Sequence, residues 1–66
     1  MYKINNLPLG GQNVERLGDR AFIPFDPANT DYQQFKIDVA NGVPLEDPDG
    51  NVMTPDHVNT FLKTLP

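Results

Sequence analysis

The chain is predicted to adopt an α+β fold: one small domain in which a β-hairpin is followed by two short α-helices and preceded by an extended N-terminal arm. Three features carry that expectation. Residues 14–17 and 20–23 flank Gly18-Asp19, a pair suited to a tight hairpin reversal. Thr30-Asp31-Tyr32-Gln33 has the form of a capping box and opens a run with apolar residues at helical spacing. Thr54-Pro55-Asp56 reproduces an N-cap followed by proline at the first helical position.

Residues 1–13 contain Leu7-Pro8-Leu9-Gly10-Gly11 and no sustained period, and so read as an extended arm with one or two turns. The arm offers no evident way to bury its apolar residues within its own small domain. Tyr2, Ile4, Leu7 and Leu9 are therefore the candidate partner-docking residues, by strand addition or groove filling. The hairpin places Gly18 at the first position of a two-residue type II′ turn and pairs Leu17 with Arg20, Arg16 with Ala21, Glu15 with Phe22 and Val14 with Ile23. Leu17, Glu15 and Phe22 then share one face, and Val14, Arg16 and Ile23 the other.

Pro24 cannot donate to a ladder and Pro27 holds Asp26 extended, so residues 23–28 form a rigid elbow. A helix is predicted over 31–41, capped by Thr30, with Tyr32, Phe35 and Val39 on one face and Asn41-Gly42 as its left-handed stop. Gln33, Lys36 and Asp38 are expected to face water. Residues 43–53 surround Pro48-Asp49-Gly50 and fit a short second hairpin or an open loop. A second helix over 55–64 aligns Val58, Phe61, Leu62 and Leu65. Tyr32, Phe35 and Val39 are expected to pack against Phe61, Leu62 and one hairpin aromatic, because these elements have only each other to cover their apolar faces. The organisation is thus an arm (1–13), a hairpin-elbow-helix module (14–42) and a turn with C-terminal helix (43–66).

Sixty-six residues allow one such core and no second domain. Nine acidic and five basic residues leave a net charge of -4, which opposes the phosphate neutralisation that nucleic acids require. Without cysteine, neither a disulfide staple nor a Cys-based zinc site is open to the chain. Its apolar runs are far shorter than the ~20 residues that span a bilayer, and Met1-Tyr2-Lys3-Ile4-Asn5-Asn6 carries no apolar signal segment. A soluble protein made without export, with no nucleic-acid or membrane partner, is expected.

Candidate chemistry is sparse. Asp47, Asp49 and Asn51 alternate like the opening of a calcium loop, but Val52 and Val58 stand where that loop needs glycine and a bidentate glutamate. A solvated turn without calcium affinity is expected. His57, the lone group of its kind, sits at the third position of the second helix with no partner arrangement for acid–base work. The chain has no serine, and Gly10-Gly11 lacks the lysine and following helix of a phosphate loop. Arg16, Arg20 and Lys36 are scattered among acids. No enzyme activity, metal or cofactor is expected, and most of Phe22, Phe25, Tyr32, Phe35 and Phe61 are needed for a core, leaving about one for a partner.

Residues 21–35, Ala21-Phe22-Ile23-Pro24-Phe25-Asp26-Pro27-Ala28-Asn29-Thr30-Asp31-Tyr32-Gln33-Gln34-Phe35, resemble a segment of small tailed-bacteriophage proteins and of tail and tail-fibre-associated proteins. There the pattern is Ile-Pro-x-Asp-Pro-x-Asn-x-Asp-Tyr-Gln-x-aromatic or Leu, followed by a helix and a glycine. Residues 14–20 are similar to the short hairpin that precedes it, so the likeness covers about 14–42. Such helices often carry a tryptophan near Val39 and end in Asn-Thr-Pro, where this chain has Asn41-Gly42-Val43-Pro44. The resemblance implies a non-enzymatic virion structural or assembly component that docks onto phage structural proteins or onto itself, found in the virion and, before assembly, in the host cytoplasm. The alternative it allows is a phage protein that binds and modulates a host protein during infection.

Overall fold

A computed structural model describes residues 1–65; Pro66, the last residue of the predicted C-terminal unit, lies outside the described residues. In chain order the elements are β1 (Tyr2–Asn6), β2 (Gln12–Arg16), β3 (Ala21–Pro24), α1 (Thr30–Ala40), β4 (Leu45–Glu46) and α2 (Pro55–Lys63). The strands form one four-stranded sheet in the order β3-β2-β1-β4, antiparallel except for the parallel pair of β1 with β4. The predicted α+β class is what the chain adopts.

Residues 1–13 are not an arm. Tyr2-Lys3-Ile4-Asn5 alternates apolar and polar, and a period of two places Tyr2 and Ile4 on one face of a strand. That strand is central: β1 pairs on both sides, Ile4 against Val14 and Tyr2 against Arg16 and Leu45. Tyr2 and Ile4 are each only 3% exposed, so they belong to the core and cannot dock a partner.

The β2–β3 hairpin keeps the predicted register, with Arg16 opposite Ala21, Glu15 opposite Phe22 and Val14 opposite Ile23. Its reversal differs. The loop takes in residues 17–20, Gly18 stays out of the left-handed region, and Arg20 enters it at φ 58. The Asp19 carboxylate explains this, because it accepts the Ala21 amide and both Nε and Nη2 of Arg16, and so organises a four-residue loop. Leu17 pairs with Met1 instead of Arg20, its amide donating to the Met1 carbonyl at 3.0 Å.

Helix α1 begins one residue earlier than predicted. Asn29 is its cap: the backbone is extended there and Oδ1 accepts the Tyr32 amide at 3.1 Å. Gln33 reaches back, though to the Pro27 carbonyl at 2.7 Å and not to a cap amide. At the other end the Gly42 amide bonds the Val39 carbonyl and the Val43 amide bonds that of Asp38, a Schellman closure that needs Gly42 at φ 100. Helix α2 is capped as predicted, with Thr54 Oγ1 accepting the His57 amide at 3.3 Å. Between the helices, β4 continues into a short hairpin through the Glu46–Val52 bridge.

Both helices lie on one side of the sheet, over Tyr2, Ile4, Val14, Ile23 and Leu45. Tyr32, Phe35 and Val39 fill the centre, and Phe61 and Leu62 pack against them half-buried. The expected hairpin aromatic does not join them. Phe22 lies on the other face at 64% exposure, and Phe25 from the elbow takes the place, with ring centroids 5.7 Å from Tyr32, 6.3 Å from Phe35 and 6.0 Å from Phe61. Tyr2 adds an edge contact to Phe35 at 5.0 Å.

Asp38 does not simply face water. It accepts the Tyr2 hydroxyl at 2.6 Å and the Gln34 amide at 2.8 Å, linking β1 to α1. These hydrogen bonds hold its carboxyl below the usual range, while burial and the Asp38 bond push the Tyr2 phenol up to about 12. Lys36 lies over the Tyr32 ring at 5.4 Å. Arg16 adds a second tie, bridging the Asp19 loop to Asp31 in the first turn of α1, and its hydrogen bonds pull the Asp19 carboxyl down to about 2.

Candidate docking surface

Strand addition requires unpaired backbone groups along a sheet edge, and the two edges here offer few of them. Along β3 the backbone groups of Ala21 and Ile23 face β2, Phe22 presents its amide and carbonyl outward, Pro24 has no amide, and the Pro24 carbonyl accepts the Asp26 amide at 2.9 Å. Along β4 the Met53 amide donates to the Leu45 carbonyl and the Asp47 amide to the Asn51 carbonyl, each at 2.8 Å. The free edge of β3 is thus confined to Phe22, and most of the exposed surface is made of side chains.

The sheet face turned away from the helices is mixed. Register aligns Phe22, Glu15, Lys3 and Glu46 in a row across the strands, with Val52 bridged to Glu46 at its end. Two exposed apolar side chains thus bracket alternating charges. The neighbouring row sets Pro24, Asn13 and Asn5 side by side, where Asn5 Nδ2 and Asn13 Oδ1 are buried without a hydrogen-bond partner.

A different character appears where the β1–β2 connection meets the C-terminal end of α2. Leu7-Pro8-Leu9-Gly10 is a reverse turn: the Gly10 amide bonds the Leu7 carbonyl, and the Leu7 amide bonds the Gly11 carbonyl, each at 3.0 Å. Proline at the second position fixes one dihedral of that turn. Gly10 and Gly11 follow at φ 97 and 80, conformations that side-chain-bearing residues resist. The chain is therefore held rigidly while Leu9, at 102% exposure, stands fully in solvent.

Beside this turn opens a shallow groove of about 700 Å³ with Phe25, Phe61 and Leu65 along one wall and Leu7, Gly10 and Gly11 along the other. Asn6, Gln12 and Thr64 complete it, and Gln12 Nε2 donates to Asn6 Oδ1 at 3.0 Å. None of the lining residues is charged. A second crevice of about 260 Å³ lies beneath the α1–β4 connection, but Val39, Leu45 and Val58 in its walls are core residues.

Of the four residues predicted to dock, Leu7 and Leu9 thus reach this surface, and Tyr2 and Ile4 do not. Phe61 and Leu65 are aligned by their helical spacing and Phe25 is among the aromatics a core this small needs, yet all three are only partly buried. Their second role comes from tertiary placement, which no local pattern encodes.

The acidic turn is occupied by its own backbone. Asp47 Oδ1 accepts the amides of Asp49 at 3.0 Å and Asn51 at 2.9 Å, an Asx-type reversal closed by the Gly50 amide on the Asp47 carbonyl. Among the described residues no three His, Cys, Asp or Glu side chains converge as a metal site would require. His57 is exposed in the first turn of α2. No helix among the described residues is long and apolar enough to cross a membrane. Comparison of the chain with protein-family models, with curated proteins and with solved structures finds no match.

Proposed function

We propose that the chain is a small non-enzymatic bacteriophage protein, a virion structural or assembly component that works by docking onto other proteins. The phage assignment rests on the likeness of residues 21–35 to tail-associated proteins. The docking assignment rests on one observation: a fully exposed leucine is held on a rigid turn beside an uncharged, partly aromatic groove. An exposed leucine of that kind gains by transfer into an apolar partner at about 25 cal/mol per Å² buried, and the hydrogen-bonded turn leaves chiefly its own rotamers to be ordered. With the β3 edge free only at Phe22 and β4 paired with residues 51–53, the rim formed by Leu7, Leu9 and the groove is the surface through which docking runs.

Mass spectrometry of purified virions tests this reading directly. Tens of copies per particle are expected, and incorporation should fall sharply for Leu9→Asp while the circular dichroism of the purified variant stays unchanged. Absence from particles, together with recovery on a host protein through Leu9, favours the host-modulating alternative instead.

A further inference from the structure

We infer that the crevice beneath the α1–β4 connection docks a cationic segment of another protein, one that inserts a large apolar side chain and carries lysine or arginine on either side of it. This surface is separate from the Leu9 rim: α2 borders that groove near its end, through Phe61, and this crevice at its start, through Pro55 and Val58. Leu45 and Val58 belong to the core and give the crevice a firm floor, while Val52, Met53 and Pro55 around it are half-buried or exposed. Its volume of about 260 Å³ is below the ~300–1,000 Å³ typical of small-molecule pockets, so it suits a single inserted side chain.

Charge selects the occupant. Residues 1–36 hold four acids and four bases and balance, whereas 37–62 hold five acids, Asp38, Glu46, Asp47, Asp49 and Asp56, and no lysine or arginine. The net charge of -4 thus arises in the stretch that builds the crevice. Among the described residues the ion pairs are those of Arg16 with Asp19 and Asp31, which leaves Asp47, Asp49 and Asp56 unmatched. Two of these lie in the turn that joins Leu45 to Val52, and the third follows Pro55, so all three flank wall residues. Glu46 is less available, because Lys3 is its rung partner on β1. The helix ends act in the same sense: α1 ends on the crevice at Val39 and Ala40 with no basic residue in its last turn, and Asp56 offsets the positive start of α2. The lining itself is uncharged, so the inserted side chain meets no ion, and the carboxylates pair at the rim in water, where they steer and orient a cationic partner and reject an acidic one.

Titration of the isotopically labelled chain with the capped peptide Lys-Lys-Leu-Lys-Lys, followed through its amide NMR shifts, tests the inference. Saturable shifts centred on 39–45 and 52–59 are expected, with a Kd on the order of 1 mM. That Kd should rise about fivefold between about 0.05 and about 0.5 M salt, and by a similar factor when Asp49→Asn is combined with Asp56→Asn in a chain of unchanged circular dichroism. Lys-Lys-Ser-Lys-Lys should lose the shifts at Val52 and Met53, and Glu-Glu-Leu-Glu-Glu should produce none. Because the Leu9 rim takes no part, Leu9→Asp should leave the titration unaltered. Equal binding of the leucine and serine peptides, or shifts spread equally over Asp19, Asp26 and Asp31, reduces the effect to general ion pairing and overturns the inference. A titration that does not saturate by about 5 mM peptide overturns it as well.

Discussion

The two helices are of similar length, eleven residues against nine, and each carries an apolar face, yet they are used differently. Helix α1 removes Tyr32, Phe35 and Val39 from solvent, whereas α2 does so only for Val58 and leaves Phe61, Leu62 and Leu65 half-covered. Position on the sheet accounts for the difference. Helix α1 lies over the sheet, its Phe35 ring against Tyr2 and Phe25, and polar ties from Tyr2 and Arg16 fasten it there. Helix α2 arrives last and closes one flank, and its final turn borders the groove beside the β1–β2 reversal. An apolar stripe therefore shows which side of a helix turns inward without showing how deeply it is buried. The shallower helix supplies walls for a surface, and the deeper one holds the fold together.

The largest test of that division compares two phenylalanines. Phe35→Ala removes a wholly buried ring and should cost about 3–5 kcal/mol, comparable with the whole stability of a domain this small, so the variant should lack a cooperative thermal transition by circular dichroism. Phe61→Ala removes a ring already open to the groove and should cost about 1–2 kcal/mol, leaving the fold intact with a lower Tm. Equal losses at the two positions would mean that the helices share the core evenly.

A smaller effect comes from the hydroxyl that ties β1 to α1. Tyr2→Phe keeps the ring against Phe35 and deletes the bond to Asp38, which should cost about 1–2 kcal/mol. The variant should also lose pH dependence at both ends of the scale. The Asp38 carboxyl is lowered in the folded state, so its stabilisation is present above the ordinary value of about 3.9 and disappears as pH falls through the lowered one. The Tyr2 phenol is raised to about 12, so its stabilisation is complete below its unfolded value of about 10 and disappears as pH rises through about 12. Urea midpoints measured across pH should fall at both extremes for the parent chain and less steeply for Tyr2→Phe. Identical profiles would show that the link contributes nothing to folding.

How much of this was legible depends on how local each determinant is. The caps of both helices and the stop of α1 were nearly all in the sequence, because Asn29, Gly42, Thr54 and Pro55 act within a few residues of themselves; the shift of the cap from Thr30 to Asn29 is one position between two good capping side chains. The β2–β3 register was legible for the same reason, although its loop follows the Asp19 carboxylate and not Gly18. Strand β1 was missed: Tyr2-Lys3-Ile4-Asn5 alternates over only four residues, and its burial depends on β4, more than forty positions along the chain, as well as on β2. Half of the docking set fell with it. Leu7 and Leu9 stay exposed because a turn with two glycines and a proline has no pattern that would bury them, while Phe25, Phe61 and Leu65 became groove walls through the packing of α2.

The subtlest test asks whether equal local damage has unequal reach. Asn29→Ala and Thr54→Ala each remove a side chain that accepts the amide three residues on, a loss worth about 1 kcal/mol in either helix. In α1 that loss should appear in full as reduced global stability, because α1 cannot leave the sheet without exposing Tyr32 and Phe35. In α2 much of it should appear as local opening, read as faster amide exchange at His57 and Val58 with a smaller shift in the urea midpoint. The consequence extends to the surface: Phe61 within α2 and Leu65 just after it line the groove, so Thr54→Ala should loosen the groove more than Asn29→Ala even though it unfolds the chain less. Equal exchange behaviour in the two variants would place both helices in one cooperative unit, and the groove would then be as firm as the core behind it.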